Sequence, residues 1–231
     1  MRSTHTAPRP YQRAMTTMKL YMHAGACSLS PHIAARELDL PIELVHVDRV
    51  SHRMPDGSDY LELNSMGYVP ALQLDDGRFL LEGPAIVQYL ADLRPERRLA
   101  APAGTPERTR LQSVLNFISS EVHKPLGMLF DKAFQPVREA LHARLARRFD
   151  WIAAQLGPYT AGPDFTVADP YLFACLNWSQ FTGPDLDRWP ALVRFQHAIL
   201  ERPHVQAALA AEGMVRRDAT SPYFLPASMR K

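Results

Sequence analysis

The sequence reads GACSLSP at residues 25–31, where an alternating, β-prone run (residues 18–23) passes into a segment with helical spacing (residues 28–38). A serine suited to capping and a proline suited to a first turn indicate that a helix begins here. Free backbone N–H groups and the helix dipole favour a thiolate at such a position. Cys27 is therefore a candidate nucleophile or mixed-disulfide partner. Its position alone fits equally well a small buried residue beneath the loop.

The segments around this stretch predict a compact α/β unit. Residues 18–48 have the pattern strand, helix, strand. Residues 69–81 contain two short apolar runs around an Asp-Asp-Gly turn, which is typical of a β-hairpin, and residues 83–93 carry a helical apolar stripe. The predicted order is β-α-β-β-β-α, an α/β layer built around a crossover and a terminal hairpin.

Two motifs of this unit predict a ligand site. GYVPAL at residues 67–72 places a proline at the mouth of a strand, where a cis Val69–Pro70 bond leaves the Val69 backbone to pair with an extended peptide ligand. LEGPAI at residues 81–86 opens a helix whose N–H groups can hold a carboxylate while Glu82 attracts an ammonium. Such a site suits an amino-acid head group. Taken alone, Glu82 also fits an ordinary helix-start acid stabilised by the dipole.

A helical region follows residues 100–104, which contain proline and glycine and mark a domain boundary. The next helix has an apolar stripe, and Asn116, Ser119 and His123 follow one flank of it. A helix presents such a flank to a cleft, where His123 can reach a ligand thiol and Asn116 can orient a substrate. The alternative for His123 is a partly exposed surface histidine. Pro125 is expected to bend or break this helix.

The rest of the chain is also expected to be mainly helical. Further helices are predicted at residues 137–156, 190–201 and 203–211. TVAD at residues 166–169 is a capping-box-like start, and the apolar segment after it predicts a central buried helix with Cys175 in the core and Asp169 in a structural role. Trp178 fits a substrate-facing and a packing role equally. Residues 215–231 show no clear period and are expected to form a tail.

The composition excludes several classes of protein. The chain has 231 residues and a net charge of +2, without the one-sided basic field that nucleic-acid binding requires. Its 20 prolines are scattered and accompanied by only 11 glycines, which excludes a collagen-like or proline-rich disordered chain. Because no apolar stretch is long enough to span a bilayer, we expect no membrane insertion.

The cysteines and the N-terminal segment indicate the cellular compartment. The chain has two cysteines, Cys27 and Cys175, far apart in the sequence, which is neither a disulfide framework nor a zinc site. We therefore expect a reducing cytoplasm and no metal. Residues 1–17 are polar and basic and lack the apolar core of a secretory signal. They are expected to be a disordered extension, an expression remnant or the result of an upstream start codon.

Taken together, these motifs resemble the bacterial beta class of glutathione transferases. The segments that carry the resemblance are MKLY at 18–21, GACSLSPHI at 25–33, VPAL at 69–72, EGPAIVQYLAD at 82–92 and EVHK at 121–124. The resemblance covers residues 18–214. It implies an α/β thioredoxin-like N-terminal domain over residues 18–99, an all-α C-terminal domain over residues 105–214 and a tail over residues 215–231. It also implies a cytoplasmic, homodimeric detoxification enzyme.

The resemblance also implies roles for individual residues. In that class a cysteine and a histidine face the glutathione thiol, and these correspond to Cys27 and His123. Val69 would pair with the cysteinyl backbone, and Glu82 with Gly83 would hold the γ-glutamyl group. Glutathione has two carboxylates and one ammonium, which agrees with the head-group site predicted from the helix start. The full set of implied glutathione contacts is Cys27, Ser28, His52, Arg53, Val69, Pro70, Glu82, Gly83, Asn116 and Lys124.

The sequence departs from the family pattern at two places. The family's lysine in the loop after the second strand corresponds to Ser-His-Arg at residues 51–53, so His52 or Arg53 takes its place near the glycyl carboxylate. The usual Asn-Pro-Lys-Gly before the cis-proline is NSMG at residues 64–67. The loss of both lysines predicts weaker glutathione binding.

The implied activity is conjugation of the glutathione thiol, as co-substrate, to small hydrophobic electrophiles, with His123 and the Cys27 loop polarising that thiol. A cysteine facing the glutathione sulfur can also form a mixed disulfide, so thiol–disulfide exchange through Cys27 stays open. Ser30 occupies the second position of a CxxC motif, which excludes dithiol chemistry within the loop. Two alternatives remain: a non-catalytic transferase-like binding protein, and a glutathione-dependent ether lyase or dehalogenase.

Overall fold

A four-stranded sheet forms the first part of the structure, a computed structural model that describes residues 17–230. The strands are β1 (Met18–Met22), β2 (Ile42–His46), β3 (Ala71–Gln73) and β4 (Phe79–Leu81), and the helices among them are α1 (Leu29–Glu37) and α2 (Gly83–Asp92). The spatial order is β2-β1-β3-β4, with β2 parallel to β1 and the remaining pairs antiparallel. This confirms the predicted β-α-β-β-β-α unit. Of the expected N-terminal extension, residues 1–16 lie outside the described residues.

The sheet is covered on both faces, because successive residues of a strand point in opposite directions. Leu20 of β1 and Leu72 of β3 pair in register and are fully buried in the main core with α1 and α2. Their neighbours Tyr21 and Ala71 belong to a second, smaller core that includes Tyr60. Tyr60 lies in a 3₁₀ turn of the long segment between β2 and β3. That segment therefore covers the face that α1 and α2 leave open.

The second part of the chain is helical. Its helices are α3 (Pro106–Phe117), α4 (Lys124–Met128), α5 (Arg138–Gln155), α6 (Ala168–Asn177), α7 (Ser179–Thr182), α8 (Pro190–Leu200) and α9 (Pro203–Ala211). All ten residues of α6 are buried, which confirms the predicted central helix and the core position of Cys175. The Asp169 carboxylate at its start accepts hydrogen bonds from the backbone N–H and hydroxyl groups of Thr160 and Thr166. Within residues 17–230, no helix is both long and apolar enough to cross a membrane.

A π-helical segment, Ile118–His123, joins α3 to α4. It ends immediately before Lys124 and Pro125, the point at which the sequence predicts a bend or break. Proline has no N–H to donate and its ring clashes with the carbonyl four residues earlier, so a regular α-helical turn is disfavoured there. The wider π turn accommodates the proline while the helix continues, and a π segment is a frequent feature of functional sites.

The last residues do not form the irregular tail that the sequence predicts. Two short strands, β5 (Met214–Arg216) and β6 (Phe224–Pro226), pair antiparallel. Phe224 is fully buried, stacks on Phe173 at 4.9 Å between ring centroids, and donates its backbone N–H to Oδ1 of Asn177. The segment is thus packed onto α6. β3 and β4 are equally short but flank a recognisable Asp-Asp-Gly turn, whereas residues 217–223 between β5 and β6 contain no such turn, which is why the sequence does not predict this pair.

An arginine joins the two parts of the molecule. Arg108 of α3 donates to both carboxylate oxygens of Asp92 at 2.8 and 2.7 Å, to the side chain of Gln88 and to the carbonyl of Ala101. The Arg108 side chain is buried, and every one of these partners belongs to α2 or to the connection that follows it. The ion pair therefore fixes the start of α3 against the end of the sheet unit.

Candidate active site

Cys27 lies in the turn between β1 and α1, almost completely buried at 9% exposure. Its thiol donates a hydrogen bond to the Val69 carbonyl oxygen at 3.2 Å. The Val69–Pro70 peptide bond is cis, which confirms the prediction from the sequence. Two motifs therefore meet at the Cys27 sulfur, although the bonded residues are 42 positions apart in the sequence.

The sequence-based expectation of a thiolate at Cys27 is not met in this structure. Burial raises the pKa of Cys27 to about 12, and the Glu82 charge adds to this, while the backbone N–H groups of Cys27 and Ser28 offset only part of it. The first helical residue of α1 is Leu29, so Cys27 stands outside the helix start. Desolvation disfavours the charged form more strongly than those N–H groups favour it. Cys27 is therefore a neutral thiol in the free protein.

The expected serine cap of α1 is also wrong. The Ser28 side chain makes no capping hydrogen bond to the helix. Instead its hydroxyl donates to the His23 carbonyl at 3.1 Å and accepts from the His23 N–H at 3.3 Å. Ser28 closes the loop that carries Cys27, which is why this fully buried polar residue has hydrogen-bond partners.

Glu82 and Gly83 form the start of α2 beside the cis-proline. Glu82 is exposed and has a positive φ of 68°, a conformation that costs a non-glycine residue of order 1–3 kcal/mol and is typical of functional sites. Its carbonyl accepts from the N–H groups of Ala85 and Ile86. Because Pro84 has no N–H, the Gly83 N–H is the donor of this first turn that remains to meet a ligand. A carboxylate and a backbone donor thus lie side by side.

His123 is the last residue of the π-helical segment and lies against α6. Its Nδ1 is 2.6 Å from the phenol oxygen of Tyr171, and its ring meets the edge of Trp178 at 5.1 Å between centroids. Burial, together with the nearby Lys124 cation, lowers the pKa of His123 to about 4. The imidazole is therefore neutral near pH 7. The residue is partly exposed, so the alternative of a partly exposed histidine at the helix surface stays open.

Two contacts connect His123 with the Cys27 loop. Trp178 donates its indole N–H to the Gly25 carbonyl at 3.0 Å, which ties the aromatic group around His123 to the turn before Cys27. The Trp178 ring in turn meets the His123 ring at 5.1 Å between centroids. The start of α2 adjoins the cis-proline, since an added Cβ on Gly83 would lie 3.8 Å from the Pro70 ring. His123 and the start of α2 are thus each linked to the Cys27 turn, the first through Trp178 and the second through the Val69–Pro70 segment.

His52 and Arg53 lie in the loop after β2 and differ in their surroundings. The His52 ring packs on Gly67, where an added Cβ would come within 2.8 Å of the imidazole, and its buried Nδ1 has no hydrogen-bond partner among the described residues. Arg53 instead donates to the Gly57 carbonyl at 3.2 Å and lies 3.8 Å from Asp59, within its own loop. His52 is thus the closer of the two to the segment that leads to the cis-proline.

Lys124 and Asn116 are both exposed but differ in their relation to His123. Lys124 adjoins His123 and affects the pKa of that histidine. Asn116 lies on α3, where its carbonyl accepts from the Ser120 hydroxyl. Among residues 17–230, no hydrogen bond joins the Asn116 side chain to Cys27 or to His123. The described residues also contain no cluster of three or more His, Cys, Asp or Glu suited to a metal ion.

Comparison with known proteins shows the family. Residues 22–98 match the model of the glutathione S-transferase N-terminal domain, and residues 135–209 match that of the C-terminal domain. Glutathione S-transferase GstA of Escherichia coli O157:H7 is 40% identical over 85% of this chain and 100% of its own length. The chain belongs to the glutathione S-transferase family. Glutathione S-transferase GST-4.5 of Xanthomonas campestris pv. campestris is 35% identical over 85% of this chain and 100% of its own.

Solved transferase structures have the same fold. A ternary complex of BphK, a bacterial glutathione transferase, is 52% identical and superposes with a TM-score of 0.82 over 84% of this chain and 99% of its own. A sphingomonad glutathione S-transferase complexed with glutathione is 41% identical, with a TM-score of 0.81 over 84% and 98%. A beta-class enzyme of Sphingomonas chungbukensis matches equally well, at 41% identity and a TM-score of 0.81 over 84% and 98%. The expected transferase fold, a thioredoxin-like domain followed by a helical domain, is confirmed.

Sequence reasoning missed several residues of this candidate site. Phe130 and Phe181 are each half-exposed, and the Phe130 ring lies 5.7 Å from the Trp178 ring and 6.4 Å from the Phe181 ring, measured between centroids. Together with Trp178, whose ring meets that of His123, they form an apolar wall. Each of these residues also fits an ordinary core position, so no sequence pattern identifies them.

Proposed function

We propose that the protein conjugates the thiol of glutathione to small hydrophobic electrophiles. The observation that carries this proposal is the linkage of four separate segments. Cys27 bonds to Val69 of the cis Val69–Pro70 bond, and the start of α2 at Gly83 adjoins Pro70. His123 packs on Trp178, which bonds to the Gly25 carbonyl in the turn before Cys27. Membership of the glutathione S-transferase family and the names of the relatives support it.

Glutathione fits the site as an extended tripeptide. The Glu82 carboxylate pairs with the γ-glutamyl ammonium, and the Gly83 N–H at the start of α2 donates to the γ-glutamyl carboxylate. The Val69 backbone beside cis-Pro70 pairs with the cysteinyl unit, which brings the glutathione sulfur to Cys27 and Ser28. His52, on Gly67, takes the glycyl end. Three further residues, Arg53, Asn116 and Lys124, remain proposed contacts at the rim.

The conjugation step needs glutathione as a thiolate. The Cys27 thiol is a donor near that sulfur, and His123 is neutral because its pKa is about 4, so it can donate without being protonated. The thiolate sulfur attacks the electrophilic carbon, the C–S bond forms, and the leaving group departs with its electron pair. The apolar wall of Phe130, Trp178 and Phe181 receives the hydrophobic part of the electrophile.

Cys27 also permits a mixed disulfide with glutathione. We expect intact mass spectrometry after incubation with glutathione disulfide to show one glutathione adduct, formed when the Cys27 sulfur displaces one glutathione thiolate from the disulfide. Cys27→Ala is expected to abolish this adduct. Cys175→Ala is the matched control and should keep it, because Cys175 is completely buried in α6. An unchanged adduct in Cys27→Ala would contradict the assignment of Cys27.

Binding to immobilised glutathione separates this proposal from its alternatives. A transferase should be retained on the matrix and act on a generic aryl halide, and Glu82→Gln should weaken retention because the ammonium loses its counter-charge. Arg78→Gln, at the opposite end of the β3–β4 hairpin, serves as a control for surface-charge loss. Failure of the wild-type protein both to bind and to react would favour a non-catalytic binding protein. Binding without conjugation, but with cleavage of an ether or carbon–halogen bond, would favour a lyase or dehalogenase.

We also propose a homodimer in the cytoplasm of a bacterium, acting in detoxification. The segment between β2 and β3 exposes several large apolar side chains: Val50 at 83%, Met66 at 63% and Tyr68 at 67%. Apolar side chains grouped on a surface in this way are typical of protein interfaces. Sedimentation should show a dimer at micromolar concentration, and a monomer under those conditions would contradict the proposal.

A further inference from the structure

Tyr171 is a buried residue with no role in the chemistry described above. It lies in the first turns of α6, 2% exposed, with its phenol oxygen 2.6 Å from Nδ1 of His123 and the two rings edge to face at 5.6 Å. Burial raises the pKa of Tyr171 and lowers that of His123. Both groups are therefore neutral near pH 7, and a single proton lies between them.

The phenol is the donor of this pair. A phenol O–H is a stronger acid than the N–H of a neutral imidazole, and a bare imidazole nitrogen is a stronger base than a phenol oxygen. The Ser119 hydroxyl next to the phenol lowers the pKa of Tyr171 and offsets part of the effect of burial. Because Nδ1 of His123 accepts the phenol proton, the one ring proton of the neutral imidazole is on Nε2.

We infer that Tyr171 is a positioning residue that holds His123 in its Nε2–H form, so that His123 acts on the glutathione sulfur as a hydrogen-bond donor and not as the base. The role at sulfur rests on the proposed function, whereas the tautomer does not. When the S–H bond of glutathione breaks, the proton passes to solvent water and the electron pair stays on sulfur. The Nε2–H of His123 then donates to the thiolate.

The packing around His123 keeps the ring in this orientation. Tyr171 bonds to it on one side, and the edge of Trp178 meets it at an interplanar angle of 64°. Trp178 is itself fixed by its bond to the Gly25 carbonyl in the turn before Cys27. A ring flip would break the bond to Tyr171 inside the protein, where an unpaired hydroxyl is unfavourable.

The tautomer can be measured on the wild-type protein without glutathione. Long-range ¹H–¹⁵N spectra of histidine-labelled protein should show His123 as the Nε2–H tautomer throughout the neutral pH range, with no protonation until the pH approaches its pKa of about 4. This measurement needs no variant and no activity. An Nδ1–H tautomer in the wild-type protein would overturn the inference.

Tyr171→Phe tests the consequence for the chemistry. Without the phenol proton, His123 should lose its single tautomer, and the apparent pKa of bound glutathione, from the pH profile of kcat/KM, should rise by about one unit. The Kd for glutathione should stay within about twofold, because Tyr171 does not contact the tripeptide backbone in the proposed mode.

Tyr223→Phe is the matched control. Tyr223 is also a buried tyrosine whose oxygen accepts from the Leu186 N–H, at a distance of 3.3 Å, but it is bonded to the turn before α8 rather than to His123. It should leave the His123 tautomer and the pH profile unchanged. A Tyr171→Phe profile that matches the wild-type profile would overturn the inference. Absence of glutathione binding to the wild-type protein, with His123 still Nε2–H, would instead overturn the proposed function.

Discussion

Cys27 combines a reactive group with a protected environment. Its thiol is almost completely buried and donates to the Val69 carbonyl, the group that also lies next to cis-Pro70. A buried thiol with a raised pKa is a poor nucleophile, since the thiolate is the reactive form. The free protein thus keeps Cys27 as a neutral hydrogen-bonding group.

The pH dependence of Cys27 alkylation follows from this environment. Because burial raises the pKa of Cys27 to about 12, the thiolate fraction stays small and the alkylation rate should rise about tenfold per pH unit throughout the mildly alkaline range. An ordinary cysteine levels off near its pKa of about 8.5. Iodoacetamide labelling of the Cys27 peptide, followed by mass spectrometry, measures the rate. A plateau near pH 9 would contradict the raised pKa.

At the residue scale, the sequence predicts those site residues that belong to continuous motifs. Cys27, Pro70 and Glu82 each stand in a short stretch whose residue types indicate a helix start or a strand mouth. Tyr171 is bonded to a residue 48 positions away and Glu212 to one 187 positions away. Such contacts depend on tertiary packing, and no local sequence pattern predicts them. The pKa of Cys27 was predicted in the wrong direction for the same reason, because burial is a tertiary property.

The π-helical segment determines the direction in which His123 points. One extra residue in a turn rotates everything after it by about 100° relative to a regular α-helix. The segment is also held from outside, since Glu121 within it accepts from Arg144 at 2.8 Å and from Arg148 of α5. These ion pairs and the following Pro125 together keep the wide turn, and His123 at its end packs against α6.

Pro125→Ala tests the contribution of the proline to this turn. Alanine restores an N–H that can donate to the carbonyl four residues earlier, so the turn should relax toward a regular α-helix and rotate His123 away from Tyr171. We expect kcat/KM to fall about tenfold or more, because misplacing a catalytic group by about 1 Å can cost a hundredfold. The pKa of His123, measured by NMR, should rise from about 4 as the ring becomes exposed.

Pro106→Ala is the control for this substitution. Pro106 is the first residue of α3, where a proline fits the helix start and no interior hydrogen bond is missing. It should change neither kcat/KM nor the pKa of His123. If Pro125→Ala kept the wild-type pKa of His123, the ion pairs of Glu121 rather than the proline would maintain the π turn.

At the element scale, the sequence predicts regular elements and misses irregular ones. The strands and helices of the first unit carry clear periods of two or 3.6 residues, and β3 and β4 flank a recognisable turn. The π segment has no distinctive amino-acid composition, and its turn differs from an α-helical turn only by one extra residue. β5 and β6 have three residues each, and Phe224 is identified as a core residue only by its stacking on Phe173.

At the scale of the whole molecule, residues of the C-terminal half hold the turn before Cys27 in place. Gly25 has a φ of +71°, a conformation that favours glycine, and an added Cβ would lie 2.8 Å from the end of the Met214 side chain. Its N–H donates to Glu212 at 2.9 Å, and its carbonyl accepts from Trp178 at 3.0 Å. Both polar groups of one glycine are thus bound by residues of the helical part.

Glu212 is in turn oriented from the sheet unit. Arg36 donates to Nε2 of His32 at 2.9 Å, so the His32 proton is on Nδ1 and is donated to Glu212 at 2.8 Å. The side chains of His32 and Glu212 are almost completely buried, at 4% and 0% exposure. The chain of bonds runs from α1 to the end of α9 and back to Gly25. It explains why the segment after α9 is ordered against the Cys27 turn.

Glu212→Ala tests whether this connection holds the active-site turn. The substitution leaves the Gly25 N–H and the His32 Nδ1–H without an acceptor inside the protein, which should lower the free energy of unfolding by about 2–4 kcal/mol. We expect urea unfolding at a lower midpoint with an unchanged slope. Alkylation of Cys27 should become faster, because the freed turn opens more often. Glu212→Gln keeps one acceptor oxygen, so its free energy of unfolding and its Cys27 alkylation rate should lie between those of the wild type and Glu212→Ala.

Glu201→Ala is the matched control, since Glu201 is an exposed acid of the same region whose ion pair with Arg216 is at the surface. The free energy of unfolding of this variant should change by no more than about 0.5 kcal/mol, and the rate of Cys27 alkylation should not change. If Glu212→Ala lowered the unfolding midpoint but left Cys27 alkylation in the native state unchanged, the carboxylate would stabilise the fold without controlling the turn. A parallel change in both measurements would mean that the C-terminal half sets the accessibility of the Cys27 thiol.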